Sequence, residues 1–94
     1  MSPYKLDRLI EIIVDNLTDI DKCIERIILY GPYSRKDFSV WADIELIILL
    51  NCEKTEYIDI RDKILDKLIS IGFKYNETIT PTIITKEAIS DTID

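Results

Sequence analysis

The chain has 94 residues, room for one hydrophobic core, and is read as one domain over 1–94. Hydrophobic residues make up 47% and charged residues 32%, with 2 Gly and 3 Pro, which excludes disordered, collagen-like and low-complexity classes. A net charge of -6 argues against nucleic acid as a ligand held by a broad positive field, and the absence of His removes every imidazole mechanism.

Ser2-Pro3 is an N-cap followed by Pro at the first helical position. Leu6, Leu9, Ile10, Ile13, Leu17 and Ile20 then recur at spacings of three and four, predicting an amphipathic helix over 3–20. Val14 and Ile12 fall off that stripe. Cys23 to Tyr30 reads as a strand stopped by Gly31-Pro32, and Tyr33 to Asp37 as a short helix after the break. Ala42 to Leu50 is a second strand, alternating at first and then wholly apolar, as in a strand whose later part is buried on both faces. Thr55 is the expected N-cap of the next helix. Its apolar period runs through Ile58, Ile64, Leu65, Leu68, Ile69 and Ile71, and Gly72 is its stop signal. Phe73 to Thr85 reads as a third strand with an irregular start near Asn76, and Pro81 assigns it to a sheet edge or a bulge. Thr85-Lys86-Glu87 opens a terminal helix from Lys86 to about Ile93. With no apolar run of roughly 18 residues and no signal-peptide pattern at Met1–Lys5, the expectation is no membrane and a cytoplasmic location.

The chemistry concentrates between Ile28 and Ile48. Asp43 and Glu45 stand at i and i+2 of a strand, which puts two carboxylates on one face. Such a pair is common on solvated strand faces, but here it sits at the mouth of the apolar run Leu46–Leu50. Like charges so placed repel unless a cation lies between them. Mg²⁺ takes one or two carboxylates together with substrate phosphates. Gly31, Ser34, Arg35 and Lys36 are close by in sequence and carry donors suited to phosphates. Tyr30 and Tyr33 flank the glycine turn, either lining a pocket or packing, and Trp41 precedes the acidic strand.

This segment resembles the nucleotidyltransferase superfamily typified by DNA polymerase beta, and in particular its minimal nucleotidyltransferases. Leu29-Tyr30-Gly31 matches the strand end of their signature, Tyr33-Ser34-Arg35 the run that follows, and Ala42-Asp43-Ile44-Glu45-Leu46 the Asp-x-Asp/Glu strand. Tyr75 to Ala88 is similar to their third strand. The resemblance implies an α+β fold, a small mixed sheet of about three to four strands with helices mainly on one side. It implies that Asp43 and Glu45 are catalytic and, with Glu77 as third carboxylate, hold Mg²⁺. Gly31, Ser34, Arg35 and Lys36 would hold the triphosphate of ATP or another NTP. The implied reaction is transfer of AMP to a hydroxyl of a partner protein. Minimal members of this kind act as antitoxins beside a helical HEPN-type ribonuclease toxin, which makes a homo- or hetero-oligomer the expected state. Two positions depart from the pattern: Pro32 replaces the Ser of Gly-Ser, and Lys36 a Gly. They are the basis of the alternative, a degenerate domain that neutralises or scaffolds its partner by binding alone. The same resemblance implies that the first two strands run antiparallel, which would bring Cys23 near Cys52, two thiols too few for a zinc motif.

Overall fold

The computed structural model describes residues 3–35 and 43–93. Helix α1 (Pro3–Thr18) leads to strand β1 (Ile24–Tyr30), a 3₁₀ turn (Pro32–Arg35) and strand β2 (Ile44–Leu50). Helix α2 (Lys54–Tyr75), strand β3 (Ile79–Thr85) and helix α3 (Lys86–Ile93) follow. The fold is α+β, with a small mixed sheet in the order β1-β2-β3 among the described residues. β1 is antiparallel to β2; β3 is parallel to it, because α2 supplies the crossover that a parallel pair requires.

β2 is the central strand, and its two faces differ. Ile44, Leu46, Ile48 and Leu50 are buried, at most 1% exposed, against Leu6, Leu9, Ile13 and Leu17 of α1 and Ile60, Ile64, Leu68 and Ile71 of α2. Both helices therefore cover one face of the sheet. Glu45, Ile47 and Leu49 point the other way and are half-buried, so burial on both faces is only partial for the apolar end of the strand. Tyr33 also joins the core, at 4% exposed, which settles its role as packing.

The helix boundaries differ from expectation for local reasons. α1 stops at Thr18, where the Ile20 N–H bonds the Leu17 carbonyl at 3.0 Å and closes the last turn. Ser2 lies outside the described residues. Ile12, expected off the stripe, packs at the edge of the core. α2 begins at Lys54 with Glu53, not Thr55, at the N-cap and without a side-chain capping bond. Its buried stripe is set by Ile60, Ile64, Leu68 and Ile71, so Ile58 and Ile69 fall outside it, at 60% and 58% exposed.

Gly72 does not end α2. The helix runs on to Tyr75, and Asn76 terminates it in the left-handed conformation (φ 55°, ψ 48°), with the Asn76 and Glu77 N–H groups both bonded to the Gly72 carbonyl. A Cβ on Gly72 would stand 2.8 Å from the Glu77 carbonyl oxygen, so the glycine serves the close approach of the returning chain. Phe73 to Tyr75 are therefore helical, and β3 starts only at Ile79. Pro81 does lie on an edge strand, as its missing N–H demands. α3 begins where expected, with the Ala88 N–H bonded to Thr85 Oγ1 at 3.1 Å. No helix among the described residues is long and apolar enough to cross a membrane.

Asn76 pays a left-handed cost that Gly would not. Asn76→Gly is expected to keep or raise stability in urea unfolding, whereas Asn76→Ala loses about 1 kcal/mol. Equal losses in the two variants would contradict the cap.

Candidate functional site

The site is built where β1 ends and β2 begins. Tyr30 stands opposite Glu45 in the antiparallel ladder, and Thr80 stands opposite Glu45 on the parallel side. Residues opposite one another share a face, so Tyr30, Glu45 and Thr80 lie in one row on the sheet face opposite α1 and α2, which is open among the described residues. Asp43 immediately precedes β2, is exposed, and by the two-residue period belongs to the same face. The start of the strand is held in place from β3: the Ile44 N–H bonds the Thr78 carbonyl at 2.9 Å.

Gly31 makes the row possible. It adopts φ +77°, a left-handed value that favours glycine. A Cβ placed on it would overlap Glu45 Oε2 and come within 2.8 Å of Glu45 Cδ. The carboxylate of Glu45 therefore rests directly on the glycine turn. Behind Gly31 the chain tightens into the 3₁₀ turn, in which the Ser34 N–H and hydroxyl both bond the Gly31 carbonyl, at 3.2 and 2.7 Å. Tyr33 anchors the turn from below by its burial in the core. On the open face the Tyr30 and Thr82 hydroxyls approach to 3.3 Å, a contact that spans β2.

The residues expected at the site are thus only partly assembled. Gly31, Asp43 and Glu45 come together at one end of the open face. Ser34 is adjacent, but its hydroxyl donates to the Gly31 carbonyl and leaves only its lone pairs outward. Of Arg35 only the backbone is described, and Lys36 and Trp41 lie outside the described residues. Glu77 is not brought to the pair. It follows the left-handed Asn76, is 17% exposed, and faces Lys5 of α1 at 3.7 Å on the helix side of the sheet. No group of three or more Cys, Asp and Glu side chains among the described residues is arranged to hold a metal ion. A cleft of about 340 Å³ beside Glu77, lined by Phe73, Asn76 and Thr78, does not include Asp43 or Glu45.

Thr80 and Thr82 also reach the site, and the alternation Ile79-Thr80-Pro81-Thr82-Ile83 is their signal in the sequence. It becomes readable only once the register against β2 is known. The antiparallel pairing of β1 and β2 does bring Cys23 beside Cys52, and both are free thiols.

No protein-family model matches the chain, and no match was found among curated proteins or among solved structures.

The contact between Gly31 and Glu45 has a measurable consequence. Gly31→Ala is expected to cost roughly 1–2 kcal/mol from the positive φ alone, and more from displacing the carboxylate. Glu45→Ala removes the second part, so the double variant should lose less than the sum of the two single losses. Strict additivity in denaturant unfolding would rule the contact out.

Proposed function

We propose that the chain is a minimal nucleotidyltransferase-like protein of the DNA polymerase beta type. It transfers a nucleoside monophosphate, AMP from ATP, to a hydroxyl of a partner protein, as the antitoxin of a HEPN-type ribonuclease toxin. The observation that carries this reading is the seating of the Glu45 carboxylate on the positive-φ Gly31 turn, with Asp43 on the same open face. Neither carboxylate is buried in the core, so a cation can reach the pair.

The donor set fits Mg²⁺ in the form it usually takes, one or two carboxylates completed by substrate phosphates. Asp43 and Glu45 would hold it; Glu77, tied to Lys5, would not. When bound, the ion supplies charge neutralisation at the phosphates and lowers the pKa of an acceptor hydroxyl. The chain's own groups do the rest. The Gly31 turn sets the position of Glu45, and Glu45 or Asp43 accepts the acceptor's proton. Arg35 and Lys36 neutralise the phosphates of the leaving pyrophosphate. Thr80, level with Glu45, offers a neutral hydroxyl where a third acid would otherwise complete the row.

The second reading, binding without transfer, has its own support. The acidic row holds two carboxylates, Pro32 removes an amide and a hydroxyl from the turn, and Ser34 spends its proton on Gly31. The same open face is apolar further along, where Ile28, 42% exposed, stands opposite Ile47. A partly exposed apolar row of this kind suits protein contact.

Calorimetric titration of ATP with Mg²⁺ separates the readings. The transferase reading expects sub-millimolar binding that disappears in the Asp43→Asn/Glu45→Gln variant. Absence of binding by the wild type, alone and in complex with its partner, leaves the binding-only reading.

A further inference from the structure

The hairpin that carries Gly31 and Glu45 is closed at its base by two cysteines. Cys23 immediately precedes β1, and Cys52 follows Asn51 just beyond β2. The ladder continues past Ile24 and Leu50 to this point, where the Asn51 N–H bonds the Cys23 carbonyl at 2.8 Å. Both cysteines are free, half-buried and packed against the same core, and Cys52 directly follows the residue whose N–H bonds Cys23. Neither cysteine is fully buried.

We propose that Cys23 and Cys52 are a covalent modification site, forming a reversible intrachain disulfide that staples the base of the β1–β2 hairpin. The loop so closed, about 30 residues, contains Gly31, Asp43 and Glu45, so the staple constrains the segment that builds the acidic row. The inference rests on the cysteine geometry and not on the transferase reading.

The oxidant is a low-molecular-weight disulfide such as oxidised glutathione. The Cys52 thiolate attacks one reagent sulfur, the reagent S–S bond breaks, and the first glutathione leaves as a thiolate that takes up a proton. Cys23 then releases its proton to solvent, and its sulfur displaces the second glutathione from Cys52. Two protein thiols are oxidised and one reagent disulfide is reduced to two thiols. The order follows from the surroundings of Cys23. Burial, together with Asp21 and Cys52 facing it, pushes its thiol up to about 12, so it stays protonated at neutral pH and reacts second. Asp21 is fixed there by the Cys23 N–H, which bonds its Oδ1 at 2.8 Å.

The test is incubation of the folded chain with excess oxidised glutathione, followed by intact mass and thiol titration. The expected product has lost two hydrogens, has no titratable thiol and runs as a monomer without reductant. It melts about 10 °C or more above the reduced chain, and dithiothreitol reverses the shift. Cys52→Ser, treated alike, gains no thermal stability. Stable glutathione adducts on both cysteines, a crosslink between chains, or an intrachain bond without a rise in Tm would each overturn the proposal.

Discussion

The two-sidedness of β2 is the constraint on which the other features depend. Ile44, Leu46, Ile48 and Leu50 fill the space between sheet and helices, and the residues between them have no choice of face. Sliding the strand by one residue would send Glu45 into an apolar core and bring four large side chains to the surface. Burying an unpaired carboxylate there costs several kcal/mol, and each Ile or Leu lost from the core about 1.5–3 more. Packing on one side of the sheet therefore fixes the acidic row on the other. The position of Glu45 is a by-product of hydrophobic pattern, obtained without any polar contact inside the core.

The glycine turn is held from two sides in a different way. Tyr33 is drawn into the core beneath it, and the Glu45 carboxylate occupies the space a side chain on residue 31 would need. Between these, the Ser34 hydroxyl satisfies the Gly31 carbonyl. Each contact tightens the turn, and the last one does so at the expense of outward hydrogen-bonding capacity. A turn designed only to bind an anion would keep its hydroxyl proton for the ligand. The Ser34 hydroxyl proton is committed to the turn itself.

Much of this was legible from residue order. The strands around Gly31 and before Glu53, the edge position of Pro81 and the terminal helix follow from apolar period and turn chemistry, which act over a few residues. The end of α2 did not, because Gly72 and Asn76 are both plausible stops and the choice depends on where the returning chain passes. Gly72 lies under the Glu77 carbonyl, and Asn76 accepts the left-handed geometry. The assignment of Ile58 and Ile69 failed for a related reason. A helix with apolar residues outside one stripe offers more than one face, and the partner surface, here the core that holds Leu46 and Ile48, selects among them. At the site, the sequence places Asp43 and Glu45 on one face by period alone. It cannot show that Thr80 completes their row or that Lys5 engages Glu77, because both depend on register between segments far apart in the chain.

The open face bears on how the two functional readings relate. A transferase whose acceptor sits on a partner must still dock that partner, and the surface beside Glu45 runs into Ile28, Ile47 and Ile84. A binding-only protein would use the same apolar row. Substitution of these side chains weakens docking under either reading and so cannot distinguish them. The carboxylates can. Neutralising Asp43 and Glu45 leaves apolar burial almost untouched, since one is exposed and the other sits at the rim of the row. Only a function that uses their charge responds. The physical distinction between the readings thus lies in two charges at one end of the sheet, and not in the larger area that surrounds them.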